Sequence, residues 1–372
     1  MNVYTAARAP VALGDLVARG GEASVYRVRR RDAVVAKIYT HPRAETHAKL
    51  RRMQASPPAD PTVAIGHASI AWPQTLVYDD RGQVAGYLMP FIRDAAPVVE
   101  VFNPRRRAVR MPGFSAAYLH RTARNLASAL AALHARGYVV GDLNERNILV
   151  TPRALVTLID CDSFQVEHRE GGTIVTHPCP VGRLEYTPPE LQGQAFRDIR
   201  RLPEHDAFGL AVLVFQLVMD GNHPFRSAWV GSDEPPSIEA KIARGWFPWA
   251  DIGVPAVAPP PNAPDLDRLH PDLVEAFMAA FVDGHARPGS RPTAEEWANH
   301  LATAEAHLVV CRSGHVFGDH LRRCPACGQR RDRPAVADAA PAGRGGPAPG
   351  TRPAAGATSR RSVGGGGGWI GR

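Results

Sequence analysis

The stretch VVGDLNERNILV, residues 139–150, with LIDCD at 158–162, constrains this chain more than any other. Two apolar runs, Tyr138–Val140 and Ile148–Val150, flank a polar loop, and a third, Leu155–Ile159, follows. Asp142 and Asn147 stand five residues apart in that loop, and Asp160 comes directly after an expected strand. Carboxylates at strand ends, with an amide nearby, suit one or two Mg²⁺ ions through oxygen ligands.

Two upstream features belong with this set. VVAK, residues 34–37, puts Lys37 at the end of an apolar strand. A buried lone ammonium is costly, so Lys37 needs a partner. A nucleotide phosphate and a helix carboxylate both serve, and a strand-edge lysine pointing to water is the bland alternative. ARGGEASVY, residues 18–26, places Gly20 and Gly21 in a turn between strands, where backbone N–H groups can approach phosphates. A plain hairpin turn explains these glycines equally well. Phosphoryl transfer asks for this combination: a lysine on the phosphates, metal ligands, and a carboxylate that orients the nucleophile.

The order of elements agrees. Residues 12–39 read as strand, turn, strand, strand; 44–54 as a helix; 72–92 as a hairpin around DDRG. Leu119, Leu126, Leu130 and Leu133 give a helical period from Ser115 to Arg136, with Ser115 as N-cap and Gly137 as stop. Helices follow at 205–220, 271–283 and 293–307. A β-rich start and a helix-rich remainder predict an α+β chain of two lobes with a cleft between them.

These motifs resemble the eukaryotic-like (Hanks-type) Ser/Thr protein kinase family in a bacterial form, over roughly residues 12–305. VVAK resembles V-A-I-K, GDLNERN resembles H-R-D-L-x-x-x-N, and IDCD stands at the D-F-G position. EYTPPE, residues 185–190, resembles the A-P-E segment, HDAFGLAVLVFQL the helix after it, and SRPTAEEW supplies Arg291. The resemblance implies ATP contacts at Gly20, Gly21, Lys37 and Met89. It implies Asp142 orienting the substrate hydroxyl, Asn147 and Asp160 binding Mg²⁺, and Glu190 paired with Arg291. Glu45 is the sole acidic residue between Lys37 and Asp60, and so the candidate partner of Lys37.

The sequence also departs from that pattern. Val140 and Gly141 replace the loop His and Arg, so activation-loop phosphorylation has no evident cation to order it. A constitutive or partner-switched kinase is expected. Cys161 and Asp162 replace the Phe and Gly of D-F-G, and Asp162 adds a carboxylate beside Asp160. Asn144 stands where Ser/Thr kinases carry Lys, and Arg183 where Thr is expected.

CRSGHVFGDHLRRCPACG, residues 311–328, reads C-x₃-H-x₈-C-x₂-C. Cys311, His315, Cys324 and Cys327 fit a structural zinc, with His320 as the other candidate fourth ligand. A redox C-x₂-C pair is the alternative. From Arg333 onward Pro, Ala and Gly dominate, a composition expected to be disordered, with GWIGR at the end as a docking peptide or chance linker. The division is therefore a kinase-like domain over 1–305, with an N-lobe at about 12–92 and a C-lobe at about 93–305. A zinc ribbon at 306–332 and a disordered tail at 333–372 follow.

Of the net charge of +8, residues 331–372 hold seven Arg and two Asp, so the basicity marks the tail rather than a nucleic-acid-binding fold. With no secretory or membrane-spanning pattern, a cytoplasmic location is expected, with neither nucleic acid nor membrane as partner. The zinc ribbon and LIDCDSFQV resemble a kinase subgroup linked to von Willebrand A-type proteins and metal-dependent Ser/Thr phosphatases, implying such partners beside a protein substrate. An ATP-binding pseudokinase scaffold and a nucleic-acid-binding zinc protein are the competing readings.

Overall fold

The apolar run around Lys37 forms the centre of a five-stranded antiparallel sheet. In the computed structural model, which describes residues 2–251, 253 and 257–334, β1 (Leu13–Arg19), β2 (Ala23–Val28), β3 (Val34–Tyr39), β4 (Thr75–Tyr78) and β5 (Val84–Pro90) lie in the order β1-β2-β3-β5-β4. β3 is buried on both faces, which suits its β-branched composition. Gly86 on β5 stands opposite Ile38. A Cβ there would lie 1.9 Å from the Lys37 carbonyl oxygen, so close approach of β3 and β5 requires glycine. The helix α1 (Ala44–Ala55) turns Lys49, Leu50 and Met53 inward.

Short helices α2 (Val98–Phe102) and α3 (Pro104–Arg110) lead into the helical part, Asn103 capping α3 through the amides of Arg105 and Arg106. α4 (Ala116–His134) follows. Ser115 takes its N-cap position without a side-chain capping bond, and Gly137, at φ 76°, turns the chain away after it. β6 (Ala96–Pro97), β7 (Ile148–Val150) and β8 (Val156–Leu158) form a small sheet. The run Tyr138–Val140 makes one bridge, Val139 to Gln165, rather than a strand. β9 (Val166–Glu170) and β10 (Thr173–His177) form a hairpin that the sequence reading did not anticipate.

α5 (Pro203–Val218) is buried from His205 to Leu217, as expected of a helix apolar on all sides. β11 (Ala228–Trp229), α6 (Ile238–Ala243) and β12 (Val257–Ala258) follow. α7 (Pro271–Met278) runs through a π-turn at Ala279–Asp283 into α8 (Gly284–Ala286). α9 (Ala294–Ala306), started by a Thr293/Glu296 capping box, packs along α4. One core cluster joins both parts, from Val35 and Tyr87 of the sheet to Phe215 and Trp297 of the helices.

A three-stranded sheet, β14-β13-β15, closes the described chain: β13 (Leu308–Cys311), β14 (Val316–Gly318) and β15 (Arg331–Pro334). Arg333 and Pro334, expected in the tail, pair instead with Val310 and Val309. The rest of that tail, GWIGR included, lies outside the described residues. Among the described residues no helix is long and apolar enough to cross a membrane.

Candidate active site and metal centre

Asp142 sits in a loop held from below. The carboxylate of Asp206, buried on α5, accepts the amides of Val140 at 2.7 Å and Gly141 at 2.8 Å and a bond from His134 Nε2 at 2.9 Å. This anchor was missed in the sequence, although Asp206 lies within a motif that was recognised. Asp142 Oδ1 accepts from Asn144 at 2.9 Å and Oδ2 from Asn147 at 3.1 Å. Burial raises the pKa of Asp142 above the ordinary carboxylate value, against those two amides and the Arg183 charge. A positioned carboxylate with a raised pKa suits it to receive a hydroxyl proton.

Asn147 and Asp160 are tied together: the Ile159 amide donates to the Asn147 carbonyl at 2.9 Å. Asp160 has φ 59°, a left-handed conformation that Asp tolerates better than most residues. Its side chain is half exposed. Asp160 Oδ2 and Asn147 Oδ1 carry no bond among the described residues, so two free oxygens fit a hard cation such as Mg²⁺.

Lys37 Nζ meets Asp160 Oδ1 at 3.0 Å and Asp162 Oδ1 at 2.6 Å. Burial alone would lower its pKa, but the two carboxylates raise it, and it remains charged. The expected partner Glu45 is not brought to Lys37. It lies exposed in the first turn of α1, and no ion pair joins the two. Asp162, the added carboxylate beside Asp160, turns into the sheet. Met89, buried on β5 opposite Val35, lines the core below the cleft. Gly20 and Gly21 form the turn between β1 and β2, the Gly20 amide donating to the Ala23 carbonyl at 2.9 Å. A Cβ on Gly21 would meet nothing within 4 Å.

The departures from the kinase pattern have local causes. Gly141 has φ 72°, and a Cβ there would stand 2.8 Å from Cys179 Sγ. Cys179 fills the space, its thiol pushed up to about 11 by burial and so kept protonated. Arg201, 2% exposed, stacks on Phe196 at 4.3 Å and donates to the Val181 carbonyl at 3.2 Å. The segment is thus tied by its own side chains. Arg183 pairs with Glu145 at 3.0 Å, and Arg291 donates to both oxygens of Glu190.

Below the last helix, Cys311, His315, Cys324 and Cys327 offer ligand atoms that all lie within 4.8 Å of one another. Gly314 and Gly328, with φ 82° and 72°, turn the two knuckles. Three sulfurs and an imidazole at this spacing are compatible with a structural zinc. His320 is elsewhere, bonded to the Asp267 carbonyl at 3.1 Å.

The chain is similar to protein kinase YegI. In Escherichia coli (strain K12) the identity is 34% over 333 residues, covering 88% of this chain and 50% of that protein. In Escherichia coli O157:H7 it is 35% over 332 residues, with the same coverage. The chain therefore spans about half the length of the curated relatives it matches. No protein-family model matches it. The β-rich sheet region followed by helices fits a kinase-like fold.

Proposed function

We propose that this chain is an ATP- and Mg²⁺-dependent protein kinase that transfers the γ-phosphate to a Ser or Thr hydroxyl of a partner protein. The convergence of Lys37, Asp142, Asn147 and Asp160 at one cleft carries the reading. Lys37 would hold the nucleotide phosphates, with Gly20 and Gly21 over them and Met89 in the adenine region. Asn147 and Asp160 would hold Mg²⁺, which when bound neutralises charge on the phosphates. Asp142 would orient the acceptor hydroxyl and take its proton.

With Cys179 packed beside Gly141 and the segment tied through Arg201, the site would need no activating phosphate, and the kinase would be constitutive or switched by a partner. A von Willebrand A-type protein and a metal-dependent Ser/Thr phosphatase are candidates, in bacterial signalling or stress response. The cysteine cluster would hold a structural Zn²⁺.

The test is phosphoamino-acid analysis of protein labelled by γ-labelled ATP with Mg²⁺ and a mixed protein acceptor. Phosphoserine or phosphothreonine is expected. Label confined to tyrosine would overturn the acceptor class. ATP binding without transfer would favour a pseudokinase scaffold.

A further inference from the structure

We propose that Asp162, rather than a carboxylate of helix α1, is the residue that positions Lys37 for the nucleotide phosphates. The inference rests on the reading of Lys37 given above. Asp162 Oδ1 accepts from Lys37 Nζ at 2.6 Å and from the Tyr87 hydroxyl at 2.9 Å, and Oδ2 accepts from the Tyr39 hydroxyl at 2.7 Å. The three donors form one face of the sheet. Lys37 and Tyr39 are two apart on β3, so their side chains point the same way, and Tyr87 lies opposite Lys37 on β5. Burial beside the carboxylate keeps both phenols protonated, hence donors.

This arrangement divides the labour of two carboxylates. Asp162 has both oxygens occupied by the sheet and only 10% of its side chain exposed, so it is not presented to a metal. Asp160, 52% exposed with a free Oδ2, is. The short turn Cys161–Ser163 joins them rigidly: the Ser163 amide and hydroxyl both donate to the Asp160 carbonyl, at 2.9 and 2.8 Å. The phosphate-binding lysine and the metal-side carboxylate are therefore fixed by one turn of chain.

Helix α1 contributes the opposite charge. Its inward charged residue is Lys49, 8% exposed and without a hydrogen bond among the described residues. It stands where Asp162 attracts it and Lys37 repels it. A cation on the inner face of α1 cannot partner Lys37, and Glu45 lies on the outside. The negative charge that Lys37 needs is supplied instead from the turn after β8.

The test uses the full chain with four variants: Asp162→Asn, Asp162→Gly, Glu45→Gln, and Asp162→Gly combined with Lys49→Glu. Two quantities are read, Kd for Mg-ATP by calorimetry and kcat/KM for ATP in phosphate transfer, with the melting temperature as a check on folding. Asp162→Asn, nearly isosteric, is expected to weaken nucleotide binding and to lower kcat/KM about tenfold or more. Glu45→Gln is expected to change both by less than twofold. Adding Lys49→Glu to Asp162→Gly is expected to restore part of the loss, a rescue that a merely structural role would not give. Wild-type values in Asp162→Asn, or an equal loss in Glu45→Gln, would overturn the inference. Should the wild type transfer no phosphate, the kinase reading fails, while the Kd comparison still decides the role of Asp162.

Discussion

Arg291 grips Glu190 through two parallel bonds of 2.6 and 2.8 Å, with its side chain wholly enclosed. The same guanidinium donates to the carbonyls of Gly284 at 2.7 Å and Glu204 at 3.1 Å. Bidentate geometry and backbone acceptors for both terminal nitrogens favour a buried pair, although the buried Arg291 Nε has no partner among the described residues. Removing one partner leaves the other charged and uncompensated. Arg291→Ala should therefore cost about 3–5 kcal/mol, read as a lower denaturant midpoint. A loss below about 1 kcal/mol would mean that the pair behaves as a surface bridge.

Lys49 gives a pH-dependent prediction. Burial lowers its pKa from 10.5 to about 8, with Lys37 adding repulsion against attraction from the Asp162 carboxylate. The unfolded chain keeps this proton up to about 10.5, whereas the folded chain sheds it above about 8. Wild-type stability should rise with pH across that window. Lys49→Met should stabilise the protein at pH 7 by roughly 3 kcal/mol. The advantage should shrink as the pH passes through the window and vanish above it. Chemical denaturation of both proteins at several pH values checks this. A pH-independent difference would mean that the effect is packing rather than charge.

Gly86 and Gly21 make a contrasting pair. A Cβ at Gly86 would overlap the Lys37 carbonyl, whereas Gly21 stands in open space. Gly86→Ala should separate β3 from β5, destabilise the fold by more than about 3 kcal/mol and abolish nucleotide binding. Gly21→Ala should leave the melting temperature unchanged. Equal melting temperatures for the two variants would contradict this account of the sheet.

The metal cluster predicts one zinc per chain by elemental analysis. Chelation should release the amide protection of Cys324 and Gly328, which donate to the Gln329 and Cys324 carbonyls at 2.7 and 2.8 Å. Cys311→Ser should have the same effect, because a site with three ligands is weaker. Unchanged hydrogen exchange after chelation would show that the small sheet folds without metal.

The order of elements, β-rich and then helical, was legible in the sequence because apolar runs and turn signals mark most of them. Asp142 and Asn147 stand just before the apolar run that forms β7, and Asp160 closely follows the run that forms β8. The partner of Lys37 was not legible. A carboxylate near a lysine in sequence, Glu45, competes with one 125 residues away, and only the turn after β8 brings Asp162 back to the sheet. Asp206 was hidden in the same way, a carboxylate in a mostly apolar helix whose partners, the Val140 and Gly141 amides and His134, lie 65 or more residues away. The hairpin β9–β10 was missed because VEHRE and TIVTH carry few apolar residues, although Gly171–Gly172 between them was a turn signal. Arg333 and Pro334, the second half of β15, were assigned to the tail because Pro, Ala and Gly dominate from there on; both are exposed, and they pair with β13.

The central claim is that Asp142, between Asn144 and Asn147, serves phosphate transfer at this cleft. The most direct test incubates the full chain with Mg²⁺ and γ-labelled ATP beside Asp142→Asn, which keeps the shape of the side chain and removes its charge. Label on the wild type, lowered at least about 100-fold in the variant, with ATP binding intact in both, is the predicted result. Equal labelling of the two proteins would contradict the account.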